Sequence, residues 1–280
     1  MMKLFEKIDG GLQCLLCPHL CILKDGEIGK CHARHSRDGE PKHIYLGSIS
    51  CLAVEPIEKK PFKHFLQGTK TLTYGSYGCN LNCKFCESDC ISQISPPSTA
   101  HFAGHSNLIP MAKEKRCKSI SMSYNEPILS YELLIDLAEN CAKNDLKFIL
   151  KTNAFVNKEP WKEICLRTSA MNIDWKGDEK AFKKVTRVDS YVLKDRIKEA
   201  YDLGVHIEIS LPLYYLDDEF EEQINIFGEF ISSIDKSIPC HLLRISPSYK
   251  YSDFIFNSEN LEKAKDILSK YDIENVYTVI

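Results

Sequence analysis

The sequence predicts an α/β fold: a partial, TIM-like (β/α)6 barrel preceded by a small Cys-rich metal-binding segment. Three observations predict it. Past residue 70, strand-like runs alternate with helical patterns. Those strands alternate apolar with polar residues, so one face of the sheet is polar. The first 50 residues, in contrast, carry cysteines and histidines with little apolar periodicity. The expected divisions are 1–50 for the metal-binding segment, 51–69 for a linker or docking segment, and 70–280 for the barrel. A chain of 280 residues, 44% apolar, suffices for one large domain and a small appendage.

In the N-terminal segment, Cys14, Cys17, Cys21 and Cys31 bring four thiols together, with His19 and His32 between them. So short a stretch buries little core, and a metal staple is the natural way to order it. Four thiolates suit a zinc ion or a fully ligated second iron–sulfur cluster, and the spacing does not choose between them. The following Glu55-Pro56-Ile57-Glu58-Lys59-Lys60-Pro61 reads as a charged, solvated turn that doubles as a docking element.

The first strand-like run, 70–77, leads through Gly75 and Gly78 into Cys79-x3-Cys83-x2-Cys86, with Phe85 before the last cysteine. Three thiolates at this spacing hold three corners of a cubane iron–sulfur cluster. One iron is then free of protein ligands and open to chemistry. Zinc is the competing occupant, with Cys90 as a fourth ligand.

Further strands are expected at 118–124, 147–153, 170–176, 205–212 and 240–246. Helical spacing lies between them: Leu133, Leu134, Leu137 and Cys141; Leu193, Ile197 and Ala200, closed by Gly204; Phe220, Ile224, Phe227 and Ile231, opened by Asp217-Asp218-Glu219; and Leu261, Ala264 and Leu268 after Ser258. Repeated βα units imply parallel strands joined by right-handed crossovers. In such a sheet the apolar face meets the helices. Ser119, Ser121, Ser123, Asn172, Asp174, Lys176, His206, Glu208 and Ser210 then point into the barrel, which needs water or a polar ligand. An antiparallel sheet with one wet face is the alternative.

A formal net charge of −3 supplies no basic footprint for nucleic acid. No apolar run reaches membrane-span length, and Met1-Met2-Lys3-Leu4-Phe5-Glu6 lacks a signal-peptide core. Thirteen cysteines, an odd number in tight clusters, point to reduced thiols in a cytoplasmic compartment rather than a disulfide framework.

The ordered motifs together resemble the radical S-adenosylmethionine (SAM) enzymes, in the AmmeMemoRadiSam-type subgroup related to pyruvate formate-lyase activating enzyme. The likeness covers nearly the whole chain. It runs from Cys14-Leu-Leu-Cys17-Pro18-His19-Leu-Cys21 and Gly29-Lys30-Cys31 through Glu55–Pro61, His64-Phe65-Leu66 and the three-cysteine loop. It continues with Tyr124-Asn125-Glu126-Pro127, Asn172-Ile173-Asp174-Trp175-Lys176 and His241-Leu-Leu-Arg244-Ile-Ser-Pro247. The resemblance implies that Cys79, Cys83 and Cys86 hold a 4Fe–4S cluster and that Phe85 lies near the adenine of SAM. It places Ser123, Tyr124, Asn125 and Glu126 at the methionine ammonium, and Asp174 and Lys176 at the ammonium, carboxylate or ribose. Asn153 is a further candidate at a strand end. His206, Glu208, His241 and Arg244 are candidates for ribose or substrate, although residues 241 and 244 cannot both face inward on a regular strand.

The implied activity is reductive cleavage of SAM, driven by a flavodoxin- or ferredoxin-type donor, to a radical that takes hydrogen from a substrate. That substrate is a glycyl-radical enzyme, another protein or peptide, or a small molecule; a non-catalytic iron–sulfur or zinc scaffold is the reading from a different class. Two departures stand out. Relatives continue after the last cluster cysteine with Gln-Asn-Trp, whereas this chain has Glu87-Ser88-Asp89-Cys90. Longer relatives also extend past the sixth βα unit, where this sequence runs out at Val276–Ile280.

Overall fold

A computed structural model describes residues 3–43, 46–95, 100–215 and 217–279. The N-terminal lobe is built from short strands. β1 (Phe5–Ile8), β2 (Gly11–Cys14) and β3 (Ile22–Leu23) form an antiparallel sheet, and β4 (Arg34–Arg37) pairs with β5 (Glu40–His43). β6 (Ser48–Ile49) leads into β7 (Cys51–Pro56).

β7 belongs to the main sheet. It pairs antiparallel with β8 (Lys70–Gly75), Cys51 opposite Gly75 and Pro56 opposite Lys70. The segment read from sequence as a linker therefore supplies an edge strand. After β8 come the four-residue α1 (Asp89–Ser92), β9 (His101–Phe102), which pairs with β6, and α2 (His105–Glu114). Four βα units follow: β10 (Ser119–Met122) with α3 (Tyr131–Lys143), β11 (Lys147–Thr152) with α4 (Lys158–Cys165), β12 (Ala170–Asp174) with α5 (Glu179–Thr186) and α6 (Leu193–Asp202), and β13 (His206–Pro212) with α7 (Asp217–Ile234). β14 (Cys240–Leu243), α8 (Glu259–Ser269) and β15 (Val276–Val279) complete the chain.

All six expected strands are present, in parallel and in sequence order from β8 to β14. The sheet holds one parallel strand more than the six expected, because Val276–Val279 pairs with β14. This strand escaped notice because its alternation is half-buried throughout, with no clear apolar face. Of the acidic triplet expected to open α7, the side chains of Asp217 and Asp218 lie outside the described residues.

The outer face carries the core. Ile120, Met122, Phe148, Leu150, Met171, Ile173, Ile207, Ile209, Leu211 and Leu242 are buried against the helices. Trp175 lies between the Phe227 and Phe230 rings of α7, at 5.3 and 5.4 Å. Such packing places the strand ends rigidly, and those ends build the site. The inner face is polar, as expected, but its lower half is filled by the chain itself. Residues 57–66 lie across the sheet, burying Ile57 and Phe62 against Ile149 and Ala170. Open polar space is thus found in the upper half only, while the strap covers Asn172 and Glu208 below.

Candidate active site

A cavity of about 360 Å³ opens at the C-terminal ends of the parallel strands. Most of its wall comes from residues at or just past a strand end: Cys79, Cys83 and Cys86 after β8, Ser123–Glu126 after β10, Lys151–Asn153 at β11, Asp174 and Lys176 at β12, Pro212 at β13, and Leu243–Ile245 at β14; Lys59 and Lys60 of the strap and Glu87, Ser88 and Ser92 around α1 supply the rest. This end of a parallel α/β barrel is where loops are free to vary and ligands bind.

The three-cysteine loop is tied down from several sides. Asn125 accepts from the Ser76 amide at 2.9 Å and donates to the Tyr77 and Gly78 carbonyls at 3.0 and 3.2 Å. Gly78 has φ +86°, and a Cβ there would stand 2.4 Å from the Cys31 carbonyl oxygen, so no other residue fits. Asn80 donates to the Phe155 carbonyl at 2.6 Å, and Asn153 donates to Asn80 at 3.0 Å and to the Cys79 sulfur at 3.6 Å. The Cys86 sulfur meets the Ser92 hydroxyl at 3.2 Å. Burial, with Glu126 nearby, pushes the Cys79 thiol well up, and burial raises Cys83 to about 11 despite Lys176 beside it. Both sulfurs are therefore protonated until a metal displaces the proton.

Asp174 is the hub of the opposite wall. Its two oxygens accept from Lys151 at 2.7 Å and from Lys176 at 3.1 Å. Burial alone would raise its carboxyl, but the two ammonium groups outweigh that and hold it at about 2. Two cations against one acid leave a net positive charge, suited to a ligand carboxylate. Gly177 lets the chain turn away directly after Lys176: φ is +89°, and a Cβ would come within 2.5 Å of Ala181.

Glu126 lines the cavity yet is only 2% exposed, and burial raises its carboxyl to about 7. It accepts from the Ile128 amide, the Thr152 hydroxyl and the Asn153 amide at 3.2, 2.7 and 2.8 Å. A carboxylate has about four acceptor positions, so one is left for a ligand. Tyr124, two residues earlier, has φ +75°, a strained setting for a non-glycine residue. Its hydroxyl donates to Glu55 at 2.9 Å, and Lys60 lies 4.0 Å above its ring and 2.7 Å from Glu55. Phe85 stacks on Tyr214 at 4.5 Å, with the Lys176 ammonium 5.6 Å from its ring. Arg244, just beyond β14, reaches the cavity rim, so it does not compete with His241 for the inner face.

Three of the expected site residues stand elsewhere. His206, Glu208 and His241 do not line the cavity. Glu208 accepts from His241 at 2.6 Å, from His206 at 3.1 Å, and from the Lys63 and His64 amides of the strap at 2.9 and 2.8 Å. These residues lie near the starts of β13 and β14, away from the cavity end.

Lys151, Thr152 and Lys60 were missed. Lys151 was detectable, because it shares the inward side of β11 with Ile149 and sits in register with Asn172. Lys60 was not: a Glu-x2-Glu-Lys-Lys run reads as a solvated turn, yet Lys60 is only 3% exposed.

In the N-terminal lobe, Cys14, Cys17, Cys21 and Cys31 line one small cavity together with His19, Gly29 and Arg34. Burial pushes Cys14 up to about 11, Cys17 to about 12, and Cys31 likewise upward. Among the described residues no three His, Cys, Asp or Glu side chains close on a single-ion position, and this holds for both cysteine sets.

A partial barrel whose strand ends combine three thiols with shared acid and ammonium groups defines an enzyme class built around a metal cluster and a polar ligand. Residues 73–231 match the Radical SAM superfamily. An uncharacterized protein of Methanocaldococcus jannaschii is 31% identical over 279 residues, 98% of this chain and 83% of that one. The chain belongs to the radical SAM superfamily, which implies a 4Fe–4S cluster and SAM. Solved structures share the fold. Streptococcus suis SuiB bound to S-adenosylmethionine matches with a TM-score of 0.59 at 17% identity, over 74% of this chain and 50% of that one. Spore photoproduct lyase complexed with dinucleoside spore photoproduct matches at 0.54 and 10%, over 73% and 75%. The chain spans about half the length of the SuiB structures it matches. Among the described residues no helix is long and apolar enough to cross a membrane.

Proposed function

We propose that the strand-end cavity is the SAM and cluster site of a hydrogen-abstracting enzyme. The convergence of Cys79, Cys83 and Cys86 with Glu126, Asp174, Lys151 and Lys176 on one cavity carries this reading. The cysteines would hold the 4Fe–4S cluster, whose chemistry is to deliver one electron to the sulfonium of SAM. Lys151 and Lys176 offer cations to the ligand carboxylate, while Asp174 and the last acceptor position of Glu126 face its ammonium. The Phe85–Tyr214 stack gives the adenine an apolar edge. Buried walls around these groups exclude water from the reactive carbon, and the strand-end frame keeps reacting atoms aligned.

The reductant is a flavodoxin- or ferredoxin-type protein. The substrate is a protein or peptide C–H group. Glycyl-radical installation on a partner enzyme is what the family likeness suggests; SuiB, solved bound to its precursor peptide, illustrates the peptide variant. Anaerobically reconstituted protein given SAM and dithionite releases 5′-deoxyadenosine if the reading holds, and no release from cluster-loaded protein overturns it. An EPR doublet on a glycyl-radical partner separates that substrate from a peptide.

A further inference from the structure

The turn that delivers Glu126 to the cavity is strained, and the strap grips it. Where β10 ends, the Ser123 amide still donates to the Tyr74 carbonyl of β8 at 3.0 Å. One residue on, Tyr124 takes φ +75°, and the Asn125 amide donates back to the Ser123 carbonyl at 3.1 Å. This is the closure of a γ-type turn, and its left-handed centre is costly for a tyrosine. Such a residue persists only where its surroundings over-determine it. What the turn delivers belongs to the site. Asn125 bonds Ser76, Tyr77 and Gly78 ahead of Cys79, and Glu126 borders the cavity.

Three contacts fix the Tyr124 side chain. Its ring lies on β8 at Gly75, where a Cβ would stand 3.2 Å from the ring and 3.0 Å from the Ser50 hydroxyl. Its hydroxyl donates to one oxygen of Glu55 at 2.9 Å. The Lys60 ammonium stands 2.7 Å from that same oxygen and 4.0 Å from the ring centroid. A cation on the ring face and an anion at the hydroxyl thus hold the tyrosine from two sides. Lys60 is almost fully buried, and burial draws its ammonium down while Glu55 opposes the change. A buried Lys–Glu pair adds little stability over apolar residues of the same size, so its presence here calls for another use.

We infer that Lys60 and Glu55 are positioning residues that clamp Tyr124 in its left-handed turn, setting where Glu126 meets the ligand ammonium and how Asn125 holds the cysteine loop. Lys60 borders the cavity, but it acts through Tyr124 and not on the ligand. The strap therefore does more than cover the lower sheet, since one of its side chains shapes the open end. The inference rests on the strand-end cavity being the SAM site.

The test uses the cluster-loaded full chain without oxygen, with SAM affinity read by calorimetry and iron by chemical analysis. Lys60→Met, similar in length but uncharged, should weaken SAM binding about tenfold at unchanged iron content. The KM for SAM should rise about as much, while kcat for 5′-deoxyadenosine release falls less than about twofold. Lys60→Arg keeps a cation over the ring and should restore affinity to within about threefold of wild type. Tyr124→Gly accepts the turn without strain but leaves nothing to clamp, so it should weaken binding about as much as Lys60→Met. Adding Lys60→Met to Tyr124→Gly should then change affinity less than about twofold, because the two act as one unit. Effects that multiply instead make Lys60 a direct ligand contact and overturn the clamp, as does wild-type affinity in Lys60→Met. Iron and affinity lost in parallel mark a folding role and overturn it too. Should Lys60→Met not fold, Glu55→Gln keeps the size and the acceptor for Tyr124 while releasing Lys60, and the same loss of affinity is expected. A wild type that carries its cluster yet binds no SAM overturns the cavity assignment itself, so the two failures are distinguishable.

Discussion

The two ends of the barrel carry the same alternating pattern and put it to different uses. At the C-terminal ends, Asp174, Lys151, Lys176 and Glu126 converge on open space. Toward the N-terminal ends, Glu208, His206 and His241 are just as polar and inward-facing, yet the chain's own strap closes over them through the Lys63 and His64 amides. Asn172 marks the boundary: it accepts from Lys151 at 2.9 Å above and donates to the Pro61 carbonyl at 2.8 Å below. The lesson is that a polar inward residue is a site candidate only where it borders open space, and that the strap decides which end of the sheet stays open.

The sharpest break of this comparison is Cys83→Ala, for which 5′-deoxyadenosine formation should vanish, whereas Glu208→Gln should retain it in chromatographic assays. Equal loss in both would erase the distinction between the two ends. Next in size, Phe62→Ala should lower unfolding free energy by about 3–5 kcal/mol in urea titrations, because the ring is fully enclosed between strap and sheet. An effect below about 1 kcal/mol would mean that the strap is only laid on the sheet.

Glu208 links the lower end to pH. Burial raises its carboxyl, but donors from His206, His241, Lys63 and His64 outweigh this and hold it at about 2, against 4.5 for an ordinary glutamate. A depressed acid stabilises the fold above its unfolded value and loses that contribution as pH falls through the folded one. Wild type should therefore lose about 3 kcal/mol between pH 4.5 and about 2, and Glu208→Gln should flatten that slope in thermal melts. The smallest effect on the site belongs to Asp174→Asn, which should weaken SAM binding about tenfold by calorimetry, roughly 1.4 kcal/mol. Unchanged affinity would remove Asp174 from the ligand wall.

Much of this was legible in the residues. Strand positions, the inward set Ser119, Ser121, Asn172, Asp174, Glu208 and Ser210, and the three-cysteine loop all follow from period-two alternation and cysteine spacing, which depend only on neighbours in sequence. Lys151 was within reach of the same argument. The strap was not, since Glu55 and Lys60 are charged residues in a proline-flanked run, and local pattern marks these as solvated.

The sequence by itself determined the class of fold, the paired strands and the grouping of the cysteines into two sets, because periodicity and ligand spacing are short-range properties. Only the tertiary structure decided which polar residues border open space. It folded residues 57–66 across the sheet, satisfying Glu208 and leaving Asp174 at an open end. It also set the Cys31 backbone against Gly78 and His19 against Asn80. Those pairings join residues far apart in the chain, and their energies come from burial and hydrogen-bond satisfaction, which no local pattern encodes.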